Sequence, residues 1–159
     1  MRKTLFAILG VLLLASCGKK NVIDEERTFG KGVWNHFTPE VFEVTVDNTE
    51  DYYNIDMTAT VDTALFRYNI LPLTVNIYSP NGERRMFYAS IPTKENGRWK
   101  GEKKGDRREI TSRVRTFFSF NSTGTHRVEI AQATSQYDLE GINSFRLTIE
   151  NTEIDYGDL

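Results

Sequence analysis

The chain has 159 residues, with 20 basic and 22 acidic side chains and a formal net charge of −2 at pH 7. This length suits one domain with a single hydrophobic core. The slightly acidic balance excludes a generally basic nucleic-acid-binding protein. Ten phenylalanines, seven tyrosines and only four prolines favour β-structure, in which aromatic side chains pack on pleated surfaces.

The N-terminal segment has the pattern of a secretory signal peptide. Arg2 and Lys3 precede an apolar run from Leu5 to Leu14, and small residues follow. An apolar run of about ten residues is typical of a signal peptide and is too short to span a bilayer core of ~30 Å. The chain is therefore predicted to be exported.

Cys17 is the only cysteine in the chain and directly follows the small residues Ala15 and Ser16. Leu14-Ala15-Ser16-Cys17 resembles the bacterial lipobox, in which the cysteine thiol is acylated and cleavage makes this cysteine the new N-terminus. The resemblance implies cleavage between Ser16 and Cys17 and lipid attachment at Cys17. Two alternatives stay open: an ordinary signal peptide followed by a lone cysteine, which is unusual in an exported protein, or a buried N-terminal helix.

The chain divides into four predicted segments: a lipoprotein signal peptide (1–16), a lipidated tether (17–32), a β-sandwich domain (33–150) and a flexible tail (151–159). Residues 1–16 hold two basic residues and no acid, so the remaining 143 residues have 18 basic and 22 acidic side chains and a formal charge of −4. The tether lacks apolar periodicity, which is typical of a linker. Its charged clusters, Lys19-Lys20 and Asp24-Glu25-Glu26, are interpreted as a solvated linker, with a surface-export signal as the alternative.

Apolar and polar residues alternate with a period of two after Trp34, which predicts half-buried strands. Ser79-Pro80-Asn81-Gly82 predicts a hairpin turn because Asn-Gly readily adopts positive φ. A helical turn is predicted only near residues 137–142. Seven to eight strands predict an all-β fold, an antiparallel β-sandwich of immunoglobulin-like or jelly-roll-like type. The predicted inward-facing residues lie in the segments 42–46, 53–61, 73–77, 114–120, 128–130 and 145–149.

Six short motifs occur in order along nearly the whole mature chain. They are Trp34-Asn35, Tyr53-Asn54-Ile55, Arg67-Tyr68-Asn69-Ile70-Leu71-Pro72-Leu73, Pro80-Asn81-Gly82, Gly97-x-Trp99-x-Gly101-x-x-x-Gly105-Asp106 and Ala131-x-x-x-x-x-Tyr137-Asp138-Leu139-x-Gly141-Ile142. With these motifs the chain resembles the gliding-motility lipoprotein GldH family of the Bacteroidetes. The resemblance implies an outer-membrane lipoprotein that is needed for gliding motility and linked to the type IX secretion machinery. It implies envelope-protein partners and no catalytic residues.

The sequence contains few motifs that indicate catalysis. The sequence contains no Gly-x-Ser-x-Gly, no His-Glu-x-x-His and no Walker-type glycine loop. His36 and His126 are far apart in the chain, and the spacing suggests no third metal ligand. The acidic segments 47–51 and 155–158 lack EF-hand spacing. We therefore expect no enzymatic activity, no cofactor and no metal.

A polar, glycine-containing loop is predicted from Arg98 to Arg108, with a local charge of +4 in an otherwise acidic protein. Such a patch could hold lipid phosphates or the acidic face of a partner protein, and a solvated basic loop is the alternative. Trp99 could anchor a partner, but flanking glycines favour a lid on the end of the sandwich. The candidate partner-binding residues are Arg98, Trp99, Lys100, Lys103, Lys104, Arg107 and Arg108.

The alternative function is a surface glycan-binding lipoprotein, because β-sandwiches with exposed tryptophan and tyrosine often stack sugars. Trp34 and Trp99 would favour this function if they were exposed and coplanar. They would favour a non-enzymatic interaction subunit if they were buried or far apart. A small hydrolase is a third and poorly supported hypothesis.

Overall fold

In a computed structural model, which describes residues 21–152, the chain forms thirteen strands and one 3-10 turn. The predicted all-β, antiparallel fold is confirmed. The expected count of seven to eight strands was too low, because five strands have only two or three residues. The strands are β1 Asn21–Thr28, β2 Val33–Asn35, β3 Glu40–Val46, β4 Tyr52–Asp62, β5 Ile70–Tyr78, β6 Arg84–Pro92, β7 Lys94–Glu95, β8 Arg98–Trp99, β9 Glu102–Lys104, β10 Arg107–Phe118, β11 Gly124–Gln132, β12 Asp138–Glu140 and β13 Ile142–Thr152.

Two main sheets pack face to face over one core. The five-stranded sheet has the order β1-β13-β4-β10-β9, and the four-stranded sheet has the order β3-β11-β5-β6. Phe42 of the second sheet and Phe145 of the first meet in the core, with ring centroids 6.3 Å apart. Two ribbons, β12-β2 and β7-β8, complete the strands. The architecture is a β-sandwich.

The strands with clean alternation place their apolar residues in the core as predicted. On β4, the side chains of Tyr53, Ile55, Met57, Ala59 and Val61 are at most 2% exposed. The inward-facing residues predicted for β3, β5 and β13 are also buried. Period-two patterning therefore identified the central strands of both sheets.

The predicted tether was wrong over residues 21–28, which form β1 at the edge of the five-stranded sheet and pair with β13. The acidic cluster lies on this strand rather than in a solvated linker. The Arg146 guanidinium is 3.4 Å from Asp24 and 3.7 Å from Glu26, and Ser144 Oγ donates to Glu26 at 2.7 Å. Residues 21–28 therefore belong to the domain, which was predicted to begin at residue 33. Residues 17–20 of the predicted tether lie outside the described residues.

The C-terminal boundary also differs from the prediction. Residues 151 and 152 belong to β13, in which Thr152 pairs with Tyr52. The strand is longer than its apolar stretch because its last residues continue the ladder with β4. The rest of the predicted tail, residues 153–159, lies outside the described residues.

Two further local predictions were wrong. In β10, register shifts after Arg113 and Arg115 interrupt the expected alternation, so Thr116 is exposed although Phe120 is buried. Such bulges turn neighbouring side chains to other faces. The expected helical turn near residues 137–142 is β12, which pairs with β2 across the chain.

The connections divide the sandwich into two ends. β1 begins at one end, here called the Asn21 end, where the turns 47–51, 79–83 and 119–123 also lie. The opposite end, here called the hairpin end, contains the segments 29–39, 63–69, 93–106 and 133–141. The predicted basic loop therefore lies at the end of the domain that is remote from Asn21.

Candidate functional site

The predicted basic loop folds into two short β-hairpins, here called the basic hairpins (residues 94–108). β7 and β8 form the first, with Glu95 opposite Arg98, and β9 pairs with the start of β10 to form the second. Asn96 and Gly97 have φ values of 49° and 74°, and a two-residue hairpin turn of type I′ requires two positive values. The predicted polar, glycine-containing loop therefore consists of two ribbons, because its glycines occupy turns between short strands.

Gly101 joins the two hairpins and lies directly against β10. Its φ is 72°, and a Cβ atom would lie 2.1 Å from the carbonyl oxygen of Glu109. Only glycine fits this close approach and this backbone conformation. The ribbon is therefore fixed to the edge of β10, where β9 pairs with Arg107–Glu109 only.

Most cations of the basic hairpins have no carboxylate partner in the part of the chain that the structure describes. Lys104 is the exception, because its Nζ lies 2.8 Å from Oε1 of Glu109, and this hydrogen bond raises the pKa of Lys104. Arg108 is half-buried and donates to the carbonyl oxygen of Gly101 at 3.3 Å. Lys94 is half-buried and lies over Trp99. Among residues 21–152, no ion pair involves the other four cations, which are exposed: Arg98, Lys100, Lys103 and Arg107.

Trp99 covers the hairpin end of the core and is not an exposed platform. Its side chain is half-buried, and its ring centroid is 6.5 Å from that of the core residue Phe66. Lys94 Nζ lies 4.3 Å from the indole centroid, which is a cation–π distance. These contacts support the interpretation of Trp99 as a lid.

Trp34 is a core residue, only 1% exposed. Its ring packs between Phe29 and Phe145, with centroid distances of 4.9 Å and 5.3 Å, and its Nε1 donates to the carbonyl oxygen of Thr38 at 3.1 Å. The two tryptophans therefore do not form the exposed pair that would favour glycan binding.

The two histidines lie at opposite ends of the sandwich. His126 near the Asn21 end is fully buried against Phe120, with ring centroids 4.7 Å apart, and burial lowers the pKa of His126. His36 follows β2 at the hairpin end, where its backbone N–H donates to the carbonyl oxygen of Tyr137 at 2.6 Å. In the described part of the chain, no group of three or more His, Cys, Asp or Glu side chains could hold a metal ion.

Comparison with known proteins identifies the family. The profile of the GldH lipoprotein family matches residues 21–149. This chain belongs to the GldH lipoprotein family. It is 29% identical over 156 residues to the gliding motility lipoprotein GldH homolog of Christiangramia forsetii, covering 92% of this chain and 93% of that protein. No solved structure gives a significant match.

The motifs that carried the GldH resemblance have structural explanations. Gly97 and Gly105 occupy hairpin turns with positive φ, and Trp34 fills the core. Gly141 has a φ of 79°, and a Cβ atom there would lie 2.4 Å from the backbone nitrogen of Phe66. These residues therefore specify turns and packing in this GldH-family chain. The exposed cations of the basic hairpins are neighbouring residues of the same loops.

An exposed aromatic pair at the hairpin end was missed in the sequence. Phe37 and Tyr137 are 72% and 69% exposed, and their rings stack with centroids 5.5 Å apart. Pairing of β2 with β12 brings them together, and Asn35 Nδ2 donates to Asp138 Oδ1 at 2.7 Å beside them. In the sequence, this pair is marked only by two isolated aromatic residues in polar segments.

The predicted cleavage and lipid-attachment residues of this GldH-family chain, Ser16 and Cys17, lie outside the described residues. Their roles therefore stay predictions. Within residues 21–152, the structure contains no helix that is long and apolar enough to cross a membrane.

Proposed function

We propose that this protein is a non-enzymatic, lipid-anchored interaction subunit of the outer membrane that is associated with gliding motility and the type IX secretion machinery. Membership of the GldH lipoprotein family supports lipidation, and the name of the relative connects that protein with gliding motility. In this proposal, cleavage after Ser16 leaves the lipid on Cys17, and other envelope proteins are the binding partners. The role requires neither a cofactor nor a metal.

The observation that carries the proposal is the position of the basic hairpins relative to the anchor. Asn21, where β1 begins, is four residues after Cys17, so the intervening chain spans at most ~14 Å. The eleven residues of β4 separate the Asn21 end from the hairpin end by roughly 35 Å. The hairpins are therefore on the end remote from the lipid, where a partner protein is a better fit than the anchoring bilayer.

The exposed cations of the basic hairpins favour a partner with an acidic surface. Arg98, Lys100, Lys103 and Arg107 project from strands or turns held by backbone pairing, so their positions are defined. A cluster of positive charge on an acidic protein attracts acidic surfaces and accelerates their encounter. We therefore expect the partner to present an acidic face to the hairpin end.

Charge reversal at Lys103 tests the proposal. The variant Lys103→Glu should reduce co-purification of motility and secretion proteins with the tagged full chain from outer membranes, and the reduction should be larger at low salt. Arg127→Glu is the matched control, because it changes net charge equally but lies on β11 near the Asn21 end.

Two results would contradict the proposal. One is an unchanged set of partners with a folded Lys103→Glu variant present at normal abundance. The other is recovery of no motility or secretion protein with the wild-type chain.

A further inference from the structure

The two long sides of the sandwich differ in how they are closed. On the side between β1 and β3, Arg27 lies over Phe42 at 4.4 Å and donates to the carbonyl oxygen of Val41 at 2.9 Å. Its Nε is also 3.8 Å from the Glu40 carboxylate. This arginine therefore caps one carbonyl group at the edge of β3 and has an acidic partner.

The side between β6 and β10 is also bridged by arginines, but among residues 21–152 these two bridging arginines, Arg85 and Arg115, have no acidic partner. β6 is the last strand of the four-stranded sheet, and β9 covers β10 only along Arg107–Glu109. Within residues 21–152, no strand pairs with the outer edge of β6 or with that of β10 after Glu109. Unpaired strand edges are templates for an added strand. The groove between them is lined by Tyr88, Ala89, Ser90, Ser112, Val114 and Arg115.

The charged residues of the two strand segments that border this groove are all arginines. β6 and residues 110–118 of β10 contain no aspartate or glutamate, although the chain as a whole has a net charge of −2. Among the described residues, neither Arg85 nor Arg115 has an ion-pair partner. Their uncompensated charge favours an acidic occupant. The arginines of the two segments are Arg84, Arg85, Arg113 and Arg115. Arg113 is not among the uncompensated ones, because it pairs with Asp56 and Glu150.

Arg85 and Arg115 cross the groove and stack on phenylalanines of the opposite sheet. The Arg115 guanidinium is 4.1 Å from the Phe87 centroid, and that of Arg85 is 4.6 Å from the Phe118 centroid. Arg85 Nε is buried and has no hydrogen-bond partner. Each guanidinium donates one hydrogen bond to a backbone carbonyl, Arg85 to Ser119 and Arg115 to Val114, both at 2.8 Å. A stacked guanidinium keeps further donors at its edge, so a carboxylate in the groove would supply the charged acceptor that neither arginine has.

We propose that this groove binds an extended acidic segment of a partner protein, which adds as a strand to the free edge of β10. β10 is regular from Ile110 to Arg113, before its bulges, so we place the backbone pairing there. Backbone hydrogen bonds supply affinity, and carboxylates at alternate positions meet the arginines. Pairing of two identical β10 edges would bring a second Arg115 without an acidic partner to the groove, which disfavours a second copy as occupant.

This inference deepens the proposed function by stating the chemistry of a partner segment, and its test uses a defined peptide. The probe is an end-blocked octapeptide of alternating glutamate and valine, bound to the full chain in detergent. We expect saturable, salt-sensitive binding by fluorescence anisotropy and slower amide hydrogen exchange at residues 110–113. The corresponding lysine–valine peptide should bind at least about ten-fold more weakly, because charge-assisted hydrogen bonds are lost.

Variants assign the binding to the groove. Arg115→Gln should weaken binding about ten-fold by removing one charged donor. Arg27→Gln, which alters the matched arginine on the side between β1 and β3, should leave binding unchanged. If Arg115→Gln does not fold by circular dichroism, Ser90→Glu replaces it, since a carboxylate at this exposed groove position should repel the peptide.

Four results would overturn the inference: equal binding of the lysine peptide, an equal loss in Arg27→Gln, exchange protection confined to the basic hairpins, or dimerisation of the wild-type chain that protects residues 110–113 and resists the peptide. None of these results concerns co-purification of envelope proteins through Lys103. Failure of the inference is therefore distinguishable from failure of the proposed function.

Discussion

Truncation of Met57 tests the strand register at the centre of the sandwich. Met57 is fully buried and lies on β4 opposite Leu147 of β13 and Ser112 of β10. A one-residue shift in register would turn this side chain to solvent and Thr58 to the core. The relative cost of the two truncations therefore depends directly on the register.

The expected cost of Met57→Ala is about 2–5 kcal/mol in the free energy of unfolding, from lost burial and the cavity that remains. Ile77→Ala in the facing sheet, where Ile77 is 1% exposed, should cost a similar amount. Thr58→Ala removes an exposed hydrogen bond of 2.8 Å to the Thr111 hydroxyl. Water can replace that bond, so its loss should cost only ~1 kcal/mol or less.

Urea denaturation of the full chain, followed by circular dichroism, measures all three differences. The midpoint should fall while the dependence on urea concentration stays the same, because the surface exposed on unfolding changes little. A loss of stability in Thr58→Ala that equals or exceeds the loss in Met57→Ala would refute the register.

Three further predictions follow from single residues. Cys17→Ser should abolish labelling with an alkyne fatty acid, and equal labelling of wild type and variant would contradict the lipid anchor. Burial lowers the pKa of His126 below its ordinary 6.5, so the unfolded chain takes up a proton before the folded chain does. Stability should therefore fall as pH decreases from 6.5 through the pKa of the folded state. His126→Gln should flatten this part of the plot of melting temperature against pH, and an equally steep plot for the variant would contradict this assignment. Gly141→Ala should destabilise the fold more than Gly97→Ala, although both glycines have positive φ. A Cβ at position 141 would lie 2.4 Å from the Phe66 nitrogen, whereas a Cβ at position 97 meets nothing within 4 Å. Equal losses of stability in the two variants would contradict this packing.

The long central strands could be predicted because each buries one face completely. On β4, buried and partly exposed residues alternate from Ile55 to Asp62, so the sequence itself records the pleat. The same holds for the apolar residues of β5 and β13. Family resemblance added the order of turns and core residues that alternation alone does not define.

The edge elements could not be predicted from periodicity. On β1 the inward position next to Phe42 is Arg27, which covers that ring by a cation–π contact, so no apolar pattern marks the strand. β12 has three residues and exists through its pairing with β2. Tertiary contacts rather than local sequence determine both elements.

The candidate site was partly predictable. The sequence shows the excess of cations in the basic hairpins, but it does not show that Lys104 is neutralised by Glu109 across the ribbon. The groove between β6 and β10 has no linear signal, because its walls come from different sheets. Arg85 and Arg115 are distinguished only by the structure, in which neither has a carboxylate partner among the described residues, whereas Arg113 pairs with Asp56 and Glu150.

Photocrosslinking in living cells tests the central claim that the hairpin end contacts envelope proteins. A photoreactive residue at position 103 is compared with one at Asp47, which is exposed at the Asn21 end. We expect crosslinks from position 103 to motility or secretion proteins and none to these proteins from position 47. Crosslinks to the same proteins from position 47, with none from position 103, would contradict the account.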